Sequence, residues 1–272
     1  MREGGVRLQP YLVIKCGGST LEQLPTAFYE ELARLPEAGW RPVVVHGGGP
    51  VINGLLARLN VESRFVDGLR VTDSATLEVV EMALAGLTNK QLVGRLLTAG
   101  GKAIGLSGVD GRLLTAEMAD ERLGYVGHVI AVNTELIAHL TAQGYIPVIA
   151  SLGIDTSGQH LNINADTAAG AVAAALGAEK LLLLTDVEAV YVEEKGQKRF
   201  LRQLTPEEVE AYIADGHIRG GMIPKVRAAL DVLAQGVQEV AILPGAQEGV
   251  LSRFLQGEAV GTVFRTAREV SR

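Results

Sequence analysis

The 272-residue sequence has few of the features that would link it to a membrane or an oxidising compartment. Its one cysteine, Cys16, allows no intramolecular disulfide and no cysteine-rich metal site, which favours a reducing compartment. The longest near-continuous apolar run, 168–178, is about half the length that crosses a bilayer. Residues 1–10 lack an apolar stretch typical of a signal peptide. We therefore expect a cytoplasmic protein with no membrane partner.

The sequence also lacks an excess of basic residues. Lys and Arg number 25 and Asp and Glu number 31, which gives a formal net charge of −6. A nucleic-acid-binding protein usually carries a basic stripe and a high isoelectric point, so we expect no nucleic-acid partner. One small phosphorylated ligand is compatible with this charge, because a few lysines and backbone N–H groups suffice to bind it.

Aromatic residues are scarce, whereas glycines are abundant. Aromatics make up 4% of the sequence, so the core must consist mainly of Leu, Val, Ile and Ala. Glycine accounts for 33 of the 272 residues, which is about 12% against a typical share of about 7%. The glycines cluster at the ends of apolar runs, which indicates that the backbone there approaches another group closely.

Short apolar runs alternate with longer helical patterns along the chain. Several runs are apolar throughout, as in strands that helices cover on both faces. The runs of strand length are 11–15, 42–46, 102–106, 146–150, 180–185 and 239–243. The helical patterns are 21–35, 51–59, 74–97, 134–142, 165–176, 206–214 and 225–235. This alternation predicts an α/β fold with an open, mainly parallel central sheet and helices on both faces.

Capping residues and turns refine this prediction. Asp73, Asn133 and Thr205 stand where helix N-caps should be. Residues 112–132 and 152–164 break the α/β pattern, and both are typical of β-hairpins added to the main sheet. A weak boundary follows the helical pattern that ends near residue 177. It divides the chain into an N-terminal lobe, 1–178, and a C-terminal lobe, 179–272.

Two glycine-rich segments follow predicted strands and precede predicted helices. They are residues 15–19, Lys-Cys-Gly-Gly-Ser, and residues 46–50, His-Gly-Gly-Gly-Pro. Glycines at the carboxyl end of a parallel strand let backbone N–H groups face an anion, and ligands of open α/β sheets bind at that edge. A tight strand-to-helix turn without a ligand would also use glycine, but two such turns, one with a lysine, favour a binding site.

Several familiar phosphate-binding and catalytic motifs are absent. The sequence contains no Gly-x-x-x-x-Gly-Lys-Ser/Thr segment, so it is not a P-loop protein. Ile52 stands where a dinucleotide-binding fingerprint needs glycine, and residues 105–109 differ by one position from a nucleophile elbow. The five histidines have no metal-ligand spacing, so we expect no protein metal site.

Six segments, in order along the chain, resemble the amino acid kinases and, within them, the acetylglutamate kinase group. The resemblance covers residues 11–262. The segments are Ile-Lys-Cys-Gly-Gly (14–18), Val-His-Gly-Gly-Gly-Pro (45–50), Gly-Leu-Arg-Val-Thr (68–72), Leu-Asn-Ile-Asn-Ala-Asp (161–166), Leu-Thr-Asp-Val (184–187) and Gly-Gly-Met-Ile-Pro-Lys (220–225). Each is weak alone, whereas six in the family's order are specific. The resemblance implies the amino acid kinase fold, an α/β/α sandwich.

The resemblance implies transfer of the γ-phosphoryl group of ATP, with Mg²⁺, to the side-chain carboxylate of N-acetyl-L-glutamate in arginine biosynthesis. It assigns catalytic roles to Lys15 on the acceptor side, Lys225 on the nucleotide side, and Asp166, which would hold both ammonium groups. The Mg²⁺ would be held mainly by the ATP phosphates. A carboxylate is already ionised at neutral pH, so this reaction needs charge stabilisation and no general base.

The remaining site residues carry over from the same resemblance. The phosphoryl group would be bound by Gly17 and Gly18, and the acceptor by Gly48, Gly49, Arg70 and Asn162. The nucleotide would be bound by Asp186, Tyr191, Gly220, Gly221 and Met222. Arg70 would pair with the α-carboxylate of the acceptor, a planar recognition that suits a guanidinium.

Without the resemblance, these residue types have ordinary structural interpretations. Arg70 could form a surface ion pair with Asp67 or Asp73, and Asn162 could be a turn residue. Asp166 could cap a helix or stand in its first turn, and Lys225 could be a solvated residue of a first helical turn after a proline.

Two other functions remain compatible with the residues. One is the same chemistry on a carrier-protein-linked α-aminoadipate in lysine biosynthesis, and the other is a catalytically silent regulatory member of the fold. A carrier-bound acceptor should need a basic rim, whereas Glu62 and Asp67 outnumber Arg64 before the predicted substrate arginine. The presence of all three predicted catalytic residues argues against a silent member.

The resemblance also implies a homodimer. Arginine-inhibited members of the family carry an extra N-terminal helix that links dimers into a ring. Residues 1–10 contain Gly4, Gly5 and Pro10, which disfavour a helix of about 12 residues, the shortest length that is even marginally stable alone. We therefore expect a homodimer that arginine does not inhibit.

Overall fold

A computed structural model describes residues 9–194, 197–220 and 222–266 of the chain. The strands of this part are β1 (Tyr11–Cys16), β2 (Arg41–His46), β3 (Phe65–Val66), β4 (Leu69–Arg70), β5 (Ala103–Ser107), β6 (Leu114–Met118), β7 (Val126–Val132), β8 (Ile146–Ala150), β9 (Leu152–Ile154), β10 (His160–Ile163), β11 (Lys180–Thr185), β12 (Tyr191–Glu194), β13 (Gln197–Phe200), β14 (Gln203–Leu204), β15 (Glu239–Pro244) and β16 (Thr262–Phe264).

The main sheet, within the described ranges, contains eight strands in the order β14-β16-β15-β11-β1-β2-β8-β5. Its neighbouring strands run parallel, except that β15 and β16 are antiparallel. The predicted mainly parallel sheet is thereby confirmed, and all six predicted strands are present with bounds within one residue of the expected ones. The antiparallel strand β16 was not predicted, because its three residues carry no recognisable pattern.

Helices cover both faces of this sheet. They are α1 (Gly18–Leu21), α2 (Thr26–Arg34), α3 (Gly49–Arg58), α4 (Ser74–Glu81), α5 (Asn89–Thr98), α6 (Thr134–Ala142), α7 (Ala165–Ala175), α8 (Pro206–Ala214), α9 (Met222–Ala234) and α10 (Val250–Leu255). Across the described ranges, no helix has the length and apolar character needed to cross a membrane.

Two predicted helices differ in the structure from the regular helices that we expect. The single helix expected over 21–35 is wrong: α1 and α2 are separate, and Pro25 is the N-cap of α2. Proline lacks a backbone N–H and disfavours helical conformation in the residue before it, so a continuous helix cannot pass this position. The helix expected over 74–97 is continuous but not regular, because a π-helical segment, Met82–Thr88, joins α4 to α5.

The two predicted hairpins are confirmed, but they do not extend the main sheet. Strand β6 pairs antiparallel with β7, and β9 pairs antiparallel with β10. The hairpins then pair with each other in parallel, β10 with β7 and β6 with β9, so that the four strands close on themselves. Mutual pairing satisfies backbone groups that would otherwise form open edges.

The core is aliphatic and lies on both faces of the sheet. In β1, Val13 belongs to one core cluster, whereas Leu12 and Ile14 belong to another. All three side chains are fully buried. Alternate residues of a strand point to opposite faces, so this central strand is covered on both sides, as its uninterrupted apolar run predicts.

Three helices begin at the predicted caps. The side chains of Asp73 and Asn133 accept hydrogen bonds from the backbone N–H groups of Thr76 and Leu136. Thr205 forms a reciprocal capping box with Glu208. The three predicted N-caps are thereby confirmed.

Replacement of Asp73 by alanine should lower the free energy of unfolding by about 1 kcal/mol at pH 7, because α4 loses its cap. The hydrogen bond from the Thr76 backbone holds the pKa of the Asp73 carboxyl below its ordinary value of 3.8. A carboxyl whose pKa is lower in the folded protein stabilises the fold above its unfolded-state pKa and loses that effect as the pH falls through its folded-state pKa. In urea titrations, the stability difference between Asp73→Ala and wild type should therefore shrink below about pH 4.

Asn133→Ala is the matched control for this prediction. Asn133 caps α6 with an uncharged amide, so its removal should lower the free energy of unfolding by a similar amount at every pH. The same pH dependence in both variants would contradict a role for the charge of Asp73.

Candidate active site

The carboxyl ends of the three central strands carry several of the predicted site residues. Lys15 is the penultimate residue of β1, the glycine turn 47–49 follows β2, and Asp186 follows β11. Because β1 pairs in parallel with both β2 and β11, these three points lie at one edge of the sheet. This is the edge at which open α/β sheets bind ligands.

Lys15 is held by the start of α7. Its Nζ lies 2.8 Å from Asp166 Oδ1, and its side chain is only 13% exposed. The cap of α7 is Asn164, whose side chain accepts hydrogen bonds from the N–H groups of Asp166 and Thr167. Asp166 is therefore a first-turn residue, where the helix dipole stabilises its negative charge.

Lys225 has a different carboxylate partner. Its Nζ lies 3.3 Å from Asp186 Oδ1 and 3.4 Å from Thr185 Oγ1. The hydrogen bond from Lys225 is the main cause of the lowered pKa of Asp186. Asp166 was expected to hold both ammonium groups. In the structure it pairs with Lys15, whereas Lys225 pairs with the carboxylate that follows β11, because α9 places it over that strand end.

Both lysines line one small cavity. The cavity has a volume of about 30 Å³, and Asp166 and Thr185 also border it. The rest of its wall is apolar, and the two ammonium groups that border it can interact with an anion that has several oxygens, such as a phosphoryl group in transfer. The predicted catalytic residues Lys15, Lys225 and Asp166 are thus brought together.

A larger cleft of about 230 Å³ shares Lys15 and Asp166 with this cavity. All four predicted acceptor-binding residues line this cleft: Gly48, Gly49, Arg70 and Asn162. Gly18, which was predicted to bind the phosphoryl group, lines it as well. Sequence reasoning missed the apolar side chains of this cleft: Ile52, Phe65, Leu69, Leu84, Val126 and Ile163. Because these come from separate elements, no short segment could have signalled them.

Arg70 is buried in this cleft without a carboxylate. Its guanidinium donates to Ser63 Oγ at 2.5 Å and to Asn53 Oδ1 at 2.6 Å, and it lies over the Phe65 ring. Among the residues that the structure describes, it forms no ion pair, so the possible pairs with Asp67 or Asp73 are not found. Burial lowers its pKa, since a desolvated cation is unfavourable. An anionic ligand group in the cleft would supply the missing counter-charge.

Asn162 and Arg70 are connected through Thr72. Asn162 Nδ2 donates to Thr72 Oγ1 at 3.1 Å, and Thr72 Oγ1 donates to the Arg70 carbonyl oxygen at 2.9 Å. Thr72 is fully buried. Asn162 lies in β10, so it is a strand residue and not a turn residue.

The two glycine turns touch each other. A Cβ atom on Gly18 would lie 2.5 Å from the Gly49 backbone nitrogen and 2.8 Å from Pro50 Cδ. Gly17 is the N-cap of α1, and a Cβ there would lie 3.3 Å from Lys15 Nζ. The absence of side chains therefore lets the β1 and β2 turns approach within direct backbone contact.

A third cavity, of about 300 Å³, lies on the C-terminal side of the site. It is lined by Tyr191, Glu193, His217, Ile218, Arg219, Gly220 and Met222. Three of these were predicted to bind the nucleotide, and a fourth predicted residue, Asp186, lies against Lys225. The fifth, Gly221, falls outside the described residues. His217 and Arg219 were not predicted, because neither belongs to a recognised motif.

The residues here are not arranged as a protein metal site. Within residues 9–194, 197–220 and 222–266, no group of three or more His, Cys, Asp or Glu side chains could hold a metal ion. The two carboxylates nearest the small cavity, Asp166 and Asp186, are each paired with a lysine. Mg²⁺ needs only one or two carboxylates when phosphates supply its other ligands, so this donor set fits a Mg²⁺ that arrives with a nucleotide.

Comparison with known proteins finds consistent similarities. The model of the family described as "Amino acid kinase family" matches residues 10–244. An acetylglutamate kinase from Brevibacillus brevis is 47% identical over 260 residues, 95% of this chain and 98% of the relative. A chloroplastic acetylglutamate kinase from Arabidopsis thaliana is 46% identical over 258 residues, 93% of this chain and 74% of the relative. The crystal structure of smu.665 from Streptococcus mutans UA159 superposes with a TM-score of 0.81 at 36% identity, covering 94% of this chain and 98% of that one.

Gly18→Ala should distort the contact between the two glycine turns. The added Cβ would overlap the Gly49 backbone, which cannot move as a flexible side chain can, and overpacking of this kind typically costs about 1–3 kcal/mol. We expect a lowered melting temperature in calorimetry. Gly49→Ala is the control, because a Cβ there meets nothing within 4 Å. A loss of stability that is equal in both variants would show that the close approach is not what requires glycine.

Proposed function

The chain belongs to the amino acid kinase family, and from this premise we propose that it phosphorylates the side-chain carboxylate of N-acetyl-L-glutamate with ATP, in arginine biosynthesis. The products are N-acetylglutamyl 5-phosphate and ADP. One observation carries the proposal: the cleft that contains the unpaired Arg70 shares Lys15 with the small cavity that Lys225 closes. An acceptor with one carboxylate at Arg70 and another beside Lys15 fits this arrangement.

The reaction needs positioning and charge stabilisation. A side-chain carboxylate oxygen of the acceptor attacks the γ-phosphorus of ATP, the bond to the β–γ bridging oxygen breaks, and ADP leaves with the electron pair. The carboxylate is ionised at neutral pH, so no residue has to remove a proton. Bound Mg²⁺ would supply additional positive charge to the phosphates.

The two lysines would stabilise negative charge on different parts of the reacting phosphates. Lys15, at the acceptor cleft, would contact the transferred phosphoryl oxygens, and Lys225, beside Asp186, would contact the leaving phosphate of ADP. Asp166 and Asp186 act as positioning residues, because each holds one ammonium group at the cavity wall. Gly17 and Gly18 would add N–H donors at the start of α1, and Gly48 and Gly49 would add them at the start of α3.

The acceptor cleft is suited to a small dicarboxylate derivative. Arg70 would pair with the α-carboxylate, and Asn162 would bind the amide part of the acceptor. Six apolar side chains line the same cleft and would contact the methylene and acetyl groups. A carrier-protein-linked acceptor would instead have to extend past the exposed residues Glu62 and Asp67 at the rim.

We propose that the nucleotide and the acceptor occupy different lobes, 179–272 and 1–178. The strand order supports this division, because β11, β14, β15 and β16 lie on one side of β1, whereas β2, β5 and β8 lie on the other. The cavity with Tyr191, Gly220 and Met222 would hold the adenosine part of ATP.

We also propose a cytoplasmic homodimer. The run from α4 to α5 exposes Met82, Leu87 and Leu97 at 52%, 44% and 53%. Gly86 and Gly94 lie between them, and a Cβ on either meets nothing within 4 Å. An apolar surface with small residues suits the close approach of a second copy in a two-fold dimer, for which light scattering should report twice the chain mass of 28.7 kDa.

An ADP-release assay coupled to NADH oxidation tests the activity directly. N-acetyl-L-glutamate should be the best acceptor, ahead of glutamate, aspartate and α-aminoadipate, because only it presents both an uncharged acylated amine and the glutamate side chain. Activity only with a carrier-linked α-aminoadipate would favour that alternative. Absence of phosphorylation of any acceptor would favour the regulatory alternative.

Lys15→Ala and Lys225→Ala should each lower kcat by about 10²–10³ while changing the KM for either substrate much less. The ammonium groups stabilise charge that develops on the transferred group, and such an interaction is stronger in the transition state than in the ground state. Lys102→Ala is the control, since Lys102 precedes β5 at the opposite edge of the sheet, where it donates to the Gln143 carbonyl and lies over the Tyr145 ring. A near-normal kcat in either folded cavity variant would contradict the assigned chemistry.

Arg70→Lys should raise the KM for N-acetyl-L-glutamate by about tenfold or more with little change in the KM for ATP. Lysine keeps the charge, but it cannot form two parallel hydrogen bonds with a carboxylate. Arg64→Lys is the matched control, because Arg64 is exposed on the same segment. A loss of ATP affinity with unchanged acceptor affinity would show that the two binding regions are assigned the wrong way round.

A further inference from the structure

The glycine turn after β2 packs against a buried pair of side chains, His46 and Asn89, to which the sequence motifs assign no role. His46 is the last residue of β2, and Asn89 is the first residue of α5. Both are fully buried, and Asn89 Nδ2 lies 3.1 Å from His46 Nε2. The pair therefore links the end of a central strand to the helix that follows the π segment.

The surroundings of Asn89 determine which of its atoms donates. Its Nδ2 lies 2.8 Å from the Val148 carbonyl oxygen and 3.2 Å from the Leu106 carbonyl oxygen. Carbonyl oxygens only accept hydrogen bonds, so this atom must be the amide nitrogen. Its Oδ1 accepts from the Lys90 ammonium at 3.0 Å. The two N–H groups of the Asn89 amide are therefore shared among three acceptors, the two carbonyl oxygens and His46 Nε2, and Nε2 can only accept from this amide.

This donation selects the tautomer of His46. A ring nitrogen that accepts a hydrogen bond carries no proton, so the neutral ring carries its proton on Nδ1. Nδ1 lies 3.0 Å from the Gly47 carbonyl oxygen and donates to it. Burial lowers the pKa of His46 to about 4, which keeps the ring neutral at neutral pH.

The same helical run also packs on the turn itself. A Cβ on Gly48 would lie 2.7 Å from Leu84 Cδ2 and 3.1 Å from Thr88 Oγ1. In a regular α-helix, residues five positions apart point about 140° away from each other. The i→i+5 hydrogen bonding of a π-helix brings them closer in direction. The π segment, Met82–Thr88, thus lets Leu84 and Asn89 both face the turn after β2.

We propose that His46 and Asn89 are positioning residues for phosphoryl transfer, acting through the hydrogen-bond chain from Asn89 to His46 to the Gly47 carbonyl. The chain holds Gly48 and Gly49 at the wall of the acceptor cleft, where their N–H groups would bind the reacting anions. The identity of those anions rests on the proposed function. The hydrogen-bond chain itself is observed in the structure and does not depend on that proposal.

Two substitutions of His46 separate its two nitrogens. In His46→Asn the side-chain N–H occupies the place of Nδ1 and can still reach the Gly47 carbonyl, whereas in His46→Gln the amide occupies the place of Nε2 and reaches only Asn89. We expect His46→Asn to keep kcat within about threefold of wild type. His46→Gln should lose about 10- to 100-fold, because small misplacements of binding groups are this costly. Equal kcat values in the two folded variants would overturn the proposal.

Asn89→Ala tests the first link of the chain. It leaves the hydrogen bond from His46 to the Gly47 carbonyl in place, so it should lower kcat about as much as His46→Asn and less than His46→Gln. The double variant Asn89→Ala/His46→Gln should be no worse than His46→Gln alone, because both changes break the same chain. Val44→Ala is the control. Val44 is buried two residues earlier in β2, so its truncation lowers the melting temperature without touching the turn, and kcat should stay unchanged. A multiplicative loss in the double variant would show that the two residues act separately.

The tautomer of His46 can be read without any substrate. Nitrogen NMR of the ¹⁵N-histidine-labelled protein should show His46 as a neutral ring protonated on Nδ1 between pH 5.5 and 8, a range that lies above its pKa of about 4. Protonation on Nε2 would overturn the proposal even if every kinetic result agreed. If the tautomer is as expected but the wild type phosphorylates no acceptor, the proposed function fails while the hydrogen-bond chain stands.

Discussion

The parallel pairing of β1 with β2 on one side and β11 on the other is the constraint on which the site depends. Each strand of the trio ends in residues with a role at the cavity: Lys15, the turn 47–49, and Thr185 with Asp186. Only parallel neighbours bring their carboxyl ends to the same edge. The pairing in turn requires helices on both faces, because the central residues of the three strands are apolar on both faces and would otherwise expose large apolar surfaces to water.

The three cationic side chains at this edge differ in whether a carboxylate neutralises their charge. Each of the two lysines has one carboxylate, Asp166 or Asp186, which limits their mutual repulsion across a small cavity. Arg70 has neutral partners instead, Ser63 and Asn53. Its guanidinium is therefore oriented by the protein and is left with a charge that an incoming carboxylate can neutralise. This difference distinguishes the cleft that contains Arg70 from the small cavity that both lysines line.

Backbone proximity is the second physical requirement of the site. A Cβ on Gly18 would overlap the Gly49 backbone, and a Cβ on Gly48 would crowd the side chains of Leu84 and Thr88. The helical run from α4 to α5 packs against the glycine turn after β2, because its π segment directs Leu84, Thr88 and Asn89 toward that turn. A π segment costs regular hydrogen-bond geometry and is common near functional sites. The buried His46–Asn89 pair gives it a concrete role here.

Local patterns carried much of the architecture. Continuous apolar runs identified six strands of the main sheet to within one residue, and the caps at Asp73, Asn133 and Thr205 were correct. Strand burial and N-capping depend on residues adjacent in the chain. The motif order likewise identified several residues that line the cleft and the small cavity, but not their apolar neighbours. The sequence pattern could not predict which side chain each charged group contacts. Four features depend on contacts between residues far apart in sequence. They are the pairing of Lys225 with Asp186, the lack of a carboxylate beside Arg70, the closure of the two hairpins on each other, and the approach of Asn89 to His46 through the π segment. Such contacts are determined by packing geometry in three dimensions, and a local sequence pattern contains no information about it.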